Sequence, residues 1–317
     1  MKTSFLVTGA AGCIGQAVME RLDAAGAKSV GLDIVLPPGG GRTGKWIRGD
    51  ILAPDIYAGV LRGIDIVIHL AAKVHFFPRT AEEADRFWKV NLDGTKRLIE
   101  AAAKEGIRRF VYVSTVGVIS PVSDDLKDAY VQSKSAAEKA VLEYRDRIEV
   151  VIVRPATVYG PHDKGNIFKL VRWVEKGLPP IIGPGTNRKS VVFVRTLADA
   201  LLFLAERGEK GNAYVVTDGR DLTMKEIVDV ICFVIDKKNR WPAIPLSLAR
   251  GMAAVNEWLS DKVEFPRLLG RETVEKLAEE TVFDPTPLFS LGFSPMYSFE
   301  EGIAETVQWY KRSVQSR

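Results

Sequence analysis

The pattern of apolar and polar positions divides the chain in two. In the first half, runs rich in Val and Ile recur at Ser4–Thr8, Ser29–Asp33, Ile64–Leu70, Phe110–Ser114 and Val150–Arg154. Each is bounded by Gly or charge and reads as a buried strand. Between them, Ile14–Ala25, Ala81–Glu105 and Asp128–Arg145 carry apolar residues at helical spacing. Strand and helix alternating at this scale predict an α/β fold, a doubly wound parallel sheet with helices on both faces. Past Gly160 the pattern loosens. Helices are expected at Asn166–Lys176, Thr196–Ala205, Thr223–Lys237, Leu246–Leu259, Arg271–Glu280 and Ser298–Lys311, with Pro- and Gly-rich turns between them. Ala213–Val216 is expected to return to the sheet as a strand. The expected division is therefore 1–160 for the sheet domain and 161–317 for a smaller, mainly helical one, with 190–216 interleaved.

Composition narrows the function classes. The chain has 317 residues, 46% hydrophobic and 26% charged, as in an ordinary folded protein. Its net charge is +4 and its basic residues are scattered, which argues against a nucleic-acid partner. Nowhere does an apolar stretch reach the length of a membrane span. The run Ser4–Val7 after Lys2 is too short for a signal segment and stops at Thr8-Gly9. The two cysteines, Cys13 and Cys232, lie far apart without metal-ligand spacing, so no metal site is expected and a cytoplasmic location is. Pro37-Pro38-Gly39-Gly40-Gly41 reads as a surface loop, too short for a linker.

The first strand runs into Gly9-Ala10-Ala11-Gly12-Cys13-Ile14-Gly15. Glycines at these positions permit a tight turn, close approach of the backbone to a pyrophosphate, and close packing of helix on strand. The helix that begins there directs its N-terminal amides and positive dipole end at the phosphates. Asp33 ends the second strand at the spacing of a ribose-binding carboxylate, which favours NAD and repels the extra phosphate of NADP. Arg42 and Arg48 lie nearby in sequence and keep NADP open. A Rossmann-type cofactor domain follows. Cys13 reads as a small packing residue, although a helix N-terminus would also make its thiol more acidic.

Tyr130-Val131-Gln132-Ser133-Lys134 places Tyr and Lys four apart on one face of a helix. A phenol titrates near 10, too high for a base near neutrality. An adjacent ammonium and a positive nicotinamide would lower it. A hydroxyl at a neighbouring strand end would hold the substrate oxygen; Thr115 is the candidate and Ser114 the runner-up.

With these features in place, the chain resembles the extended short-chain dehydrogenase/reductase superfamily, also called the NAD-dependent epimerase/dehydratase family. The matching segments are TGAAGCIG at 8–15, Asp33, GDI at 49–51, HLAA at 69–72, VNLDGT at 90–95, YVST at 112–115, YVQSK at 130–134 and RPATVYGP at 154–161. VFVRTLADAL at 192–201 and the C-terminal LGFSP and FEEGIAETVQWY also resemble it. The resemblance implies that Tyr130 is the acid/base and that Lys134 lowers its pKa while binding the nicotinamide ribose. Thr115 would orient the substrate hydroxyl. Asp50 and Ile51 would flank the adenine; Leu70, Ala71 and Ala72 would line the cofactor groove. Asn91 would stabilise the central strands, and Pro155 would lie near the carboxamide. His69 is expected to have a structural hydrogen-bonding role, with His75 and His162 left in loops. The family also implies a homodimer joined through the Ala81–Glu105 and Asp128–Arg145 helices.

Three reactions compete within the resemblance. Nucleotide-sugar dehydratases place Asp-Glu after the threonine; here Val116-Gly117 follow, and neither can move a proton. Dehydration is set aside. Nucleotide-sugar 4-epimerases carry an asparagine where Thr157 stands and an Arg-Pro-Gly-Asp segment that is missing here, although Arg188, Arg195 and Arg267 could replace those contacts. Dehydrogenases like 3β-hydroxysteroid dehydrogenase and dihydroflavonol reductase act on less polar alcohols. They often have an apolar helical insert like Ile244–Trp258, and Phe76, Phe77, Phe168 and Trp173 add apolar surface. The favoured reading is hydride transfer at a secondary alcohol or ketone of a small, fairly apolar substrate. A nucleotide-sugar 4-epimerase with tightly bound NAD is the alternative. A dinucleotide-binding sensor without turnover ranks below both, because Tyr130 and Lys134 are retained.

Overall fold

The computed structural model describes residues 3–37, 44–74, 78, 80–121, 123, 125–177, 181–237, 243–262 and 271–315. Arg42, His75, Phe76, Phe77 and Arg267 lie outside the described residues, as does most of the loop expected at 37–41. The chain runs β1 (Ser4–Thr8), α1 (Cys13–Ala24), β2 (Lys28–Asp33), β3 (Lys45–Arg48), α2 (Ile56–Val60), β4 (Ile66–His69) and α3 (Ala81–Phe87). It continues as α4 (Thr95–Lys104), β5 (Arg109–Val113), α5 (Ala129–Leu142), β6 (Glu149–Pro155), β7 (Thr157–Tyr159), α6 (Asn166–Glu175), β8 (Arg188–Lys189) and β9 (Val191–Phe193). The remainder is α7 (Val194–Arg207), β10 (Ala213–Val216), β11 (Leu222–Thr223), α8 (Met224–Ile235), α9 (Leu246–Lys262), α10 (Arg271–Ala278), α11 (Thr286–Ser290) and α12 (Phe299–Gln315).

Contacts group the chain into two units. The first comprises 1–158, 192–217 and 284–296; the second comprises 159–191, 218–283 and 297–317. The first unit holds a seven-stranded parallel sheet in the order β10-β6-β5-β4-β1-β2-β3. The order reverses between β1 and β4, where a doubly wound sheet opens a crevice at its carboxyl edge. Ala213–Val216 pairs with Ile152–Pro155 and forms one sheet edge. On one face, Leu6, Val67, Phe110, Tyr112 and Ile152 pack against Tyr57 and Val60 of α2, Leu98 and Ile99 of α4, and Ala137 and Val141 of α5. α1 and α7 cover the other face, joined by a bidentate Arg21–Asp199 pair at 2.6 Å. Burying such a face in full stabilises by roughly 1.5–3 kcal/mol per large side chain.

The single helix expected over Ala81–Glu105 is two helices joined by a π-helical turn at Trp88–Gly94. Apolar spacing cannot register the extra residue of a π turn, which leaves the amphipathic pattern nearly intact. β3, α2 and α11 were not legible in the periodicity because they are only four or five residues long. In the second unit a Thr223/Glu226 capping box starts α8, and α8 packs against α6 and α12. No helix among the described residues is long and apolar enough to cross a membrane.

Candidate active site

β1 delivers the glycine turn. Gly9 has φ +68°, a left-handed conformation that favours glycine, and a Cβ on it would lie 2.7 Å from the Ala71 nitrogen. A Cβ on Gly15 would sit 2.2 Å from the Gly9 carbonyl oxygen, so α1 can approach the turn only through glycine. Gly12 caps α1 in extended conformation with no side-chain hydrogen bond over the helix end. It is exposed, while Cys13 and Ile14 behind it are half-buried. An uncovered helix N-terminus of this kind suits a phosphate. Asp33 stands at the rim, its Oδ2 accepting from the Ala11 N–H at 2.9 Å and its Oδ1 from the Val35 N–H at 3.2 Å. Arg48 pairs in register with Asp33 and donates to the Ile34 carbonyl at 3.1 Å. These residues fit a dinucleotide: an open amide-rich helix end for the pyrophosphate and a carboxylate beside it for a ribose.

The flanking positions divide. Asp50 is exposed and its Oδ1 accepts from the Leu52 N–H. Ile51 is instead buried in the core, close against Gly94. Leu70, Ala71 and Ala72 are half-buried after β4, and Pro155 is buried at the end of β6.

Tyr130 and Lys134 come from the first turns of α5, and Thr115 follows the end of β5. The Thr115 hydroxyl accepts from the Gly117 N–H at 3.2 Å and lies on the side of the Tyr130 phenol, whose ionised form it favours. Ser114 is different: its hydroxyl is buried with no hydrogen-bond partner among the described residues. Gly117 lets α5 come close, since a Cβ there would meet Val131 at 3.1 Å.

Burial pushes the Tyr130 phenol up to about 12, only partly offset by the neighbouring Thr115 hydroxyl. Lys134 is 3% exposed and desolvation lowers it to about 7, with the Glu138 carboxylate opposing the fall. Its ammonium donates to the Val113 carbonyl at 2.6 Å and lies 4.3 Å from the centre of the Tyr112 ring. A cation bound beside the phenol would be needed to bring it down.

A buried polar chain was not legible in the sequence. The Ala71 N–H donates to Thr8 Oγ1 at 3.2 Å, which meets His69 Nδ1 at 2.7 Å. His69 Nε2 meets Thr95 Oγ1 at 2.8 Å, and Thr95 donates to the Asn91 carbonyl at 2.7 Å. Because Thr95 donates onward, it accepts from Nε2–H, which leaves Nδ1 to accept from Thr8. Burial holds His69 neutral, with a pKa of about 3. Asn91 lies in the π turn. Its side chain accepts from the Lys73 N–H at 2.7 Å, and donates to the Lys73 carbonyl at 3.2 Å and to Ser133 Oγ at 3.0 Å. Asn91 thus ties the segment after β4 to α5. Threonines at strand ends carry no sequence signal for such a chain, since their partners are dozens of residues away.

In the second unit Arg188 pairs with Glu280 at 3.0 Å. In the first, Arg195 lies 3.8 Å from Glu20 of α1. Both cations are engaged by carboxylates. Phe168 stacks with Trp309 and Tyr310 of α12. α9 buries Ala249 and Ala253 while Leu248, Met252 and Val255 are exposed at helical spacing.

Comparison with known proteins follows the same lines. The model of the NAD dependent epimerase/dehydratase family matches residues 5–217. A UDP-glucose 4-epimerase of Vibrio cholerae is 30% identical, over 82% of this chain and 81% of its own. A 2-alkyl-3-oxoalkanoate reductase of Stenotrophomonas maltophilia is 27% identical, over 94% of this chain and 96% of its own. Among solved structures, MoeE5 in complex with UDP-glucose and NAD superposes with a TM-score of 0.74 at 26% identity, covering 98% of this chain and 99% of that one.

Proposed function

The chain belongs to the NAD-dependent epimerase/dehydratase family, and on that footing we propose that it is an NAD-dependent oxidoreductase acting at a secondary alcohol or ketone of a small, fairly apolar substrate. The observation that carries this reading is the placement of Tyr130 and Lys134 one turn apart on α5, with Thr115 following β5 on the side of the phenol. NAD, when bound, supplies a nicotinamide that accepts or returns a hydride at the carbinol carbon. Gly9, Gly12, Cys13, Ile14 and Gly15 would hold its pyrophosphate. Asp33 would hold the adenosine ribose, and Lys134 the nicotinamide ribose. Asp50 and Ile51 would lie toward the adenine, Leu70, Ala71 and Ala72 along the groove that Asn91 supports, and Pro155 by the carboxamide. Tyr130 would remove the hydroxyl proton of an alcohol, or return it to a ketone oxygen, while Thr115 fixes that oxygen. Lys134 would stabilise the negative charge that develops there.

Two observations favour an apolar substrate. The exposed stripe Leu248, Met252 and Val255 on α9 offers apolar surface, and the reductase relative, matched over nearly its whole length, is named for a 3-oxoalkanoate. A second reading, a nucleotide-sugar 4-epimerase, is favoured by the 30% identity to a UDP-glucose 4-epimerase. In that case Tyr130 would move the same proton twice. A homodimer through α4 and α5 accompanies either reading.

The two readings separate in one experiment. The purified protein is denatured and any released dinucleotide identified, and native protein is incubated with NADH and 3-oxoalkanoates. Free exchange of NADH, oxidised as the ketone is reduced, is expected. Retained NAD with no ketone reduction would replace this reading by the epimerase one.

A further inference from the structure

Tyr130, Lys134 and Glu138 recur every four residues along α5, so their side chains stand one above another on a single helix face. Glu138 takes no part in the proton transfer just described. It is 6% exposed, and a carboxylate so deeply buried needs a specific partner. That partner is Arg154 of β6, whose Nε and Nη2 reach the two carboxylate oxygens at 3.0 and 2.6 Å. The fork is bidentate and fixes the carboxylate in the plane of the guanidinium.

Lys134 lies between these groups. On its own helix it has Tyr130 a turn before and Glu138 a turn after. From β5 it meets the Tyr112 ring and the Val113 carbonyl, and from β4 it faces His69, whose neutrality its charge reinforces. Arg154 of β6 is turned to Glu138. Removing an ammonium from water is costly, and in a low-dielectric interior a single opposing carboxylate acts strongly.

We propose that Glu138, clamped by Arg154, is a positioning residue that favours the protonated form of Lys134 at the interface of α5 with the sheet. The proposal rests on the role given to Lys134 above, which requires the cation. It also assigns the buried ion pair a task beyond pinning α5 to β6. The Glu138 carboxylate opposes the desolvation of Lys134, and Arg154, bound to both of its oxygens, would set how much of that charge Lys134 feels.

The test reads Lys134 directly, without substrate or turnover. Its ε-methylene is followed by 13C NMR across pH in lysine-labelled protein, the signal being assigned by its loss in Lys134→Met. In Glu138→Gln the proton affinity of Lys134 is expected to fall by at least about tenfold, the usual scale for losing a close opposite charge. In Arg154→Met it is expected to rise, because the carboxylate is released from its fork. Glu138→Asp should restore most of the parent midpoint. Because either single variant leaves a buried charge and could fold poorly, the double variant Glu138→Gln/Arg154→Met is measured beside them and should fall between the parent and Glu138→Gln. Midpoints that stay put, or move the same way in both single variants, overturn the proposal and leave the pair as a structural pin. Failure of the oxidoreductase reading would show in turnover alone and would not move these midpoints.

Discussion

In the sheet unit Lys134, Glu138 and Arg109 are 3%, 6% and 7% exposed, and each is held by named partners on neighbouring elements. In the second unit Arg188, Arg220 and Arg250 pair with Glu280, Glu226 and Glu275, with side chains 43–65% exposed. The same residue types do different things in the two places. At the surface, water and salt screen the attraction, and the entropy of holding two long side chains offsets most of what remains. Inside, the low dielectric converts small displacements into large changes in proton affinity. Burial takes Lys134 down to about 7 and Tyr130 up to about 12. Charge at these positions of the sheet unit is therefore sensitive to its surroundings, whereas the exposed pairs of the second unit are not.

The sharpest way to break this comparison is Tyr130→Phe. Loss of the phenol is expected to cut turnover by about 10²–10⁴-fold, the range for a general acid or base, while NAD affinity measured by calorimetry stays at the parent value. Near-parent turnover would remove Tyr130 from the chemistry.

A smaller effect is expected on stability, and its sign depends on pH. Lys134 titrates near 7 when folded, well below its ordinary value. Below pH 7 both the folded and the unfolded chain hold this proton, so the cost of burying the ammonium is present in full. Between there and the ordinary lysine range the folded chain releases the proton while the unfolded chain keeps it, and stability rises with pH. Lys134→Met removes that cost. Its denaturation midpoint relative to the parent should stand highest below pH 7 and lose ground steadily as pH rises. A difference independent of pH would mean that Lys134 is not desolvated as described.

The smallest effect is expected in the second unit. Arg250→Ala breaks an exposed pair with Glu275 and should leave both the thermal midpoint and turnover at parent values. A clear loss of turnover with an unchanged midpoint would give that exposed arginine a substrate contact and dissolve the contrast between the units.

Much of the framework is local and so could be read from residue order. Strands of the first half follow from short Val- and Ile-rich runs, and its helices from apolar residues three to four apart. The turn at Gly9–Gly15 follows from glycines that no other residue could replace without meeting backbone. The pairing of Tyr130 with Lys134 follows from four-residue helical spacing alone. Glu138 repeats that spacing once more, a signal available in the sequence that only acquires meaning when Arg154 is found opposite it.

Other features required the folded chain because their causes lie far apart in sequence. The π turn at Trp88–Gly94 interrupts a helix whose amphipathic pattern runs on without a break. Thr115 and Ser114 are equivalent as residue types; the turn after β5 sets the Thr115 hydroxyl against Tyr130 and leaves that of Ser114 enclosed. Arg188 lies beside Glu280 and Arg195 near Glu20, neighbours that residue order does not show. The neutral His69 depends on threonines from β1 and α4 meeting at one ring. Sequence by itself determined which elements form and which side chains share a helix face, because those depend on neighbours a few residues away. Proton affinity, hydrogen-bond partner and the fate of each buried charge were decided by tertiary structure, because they depend on which distant segments exclude water from the same few ångströms.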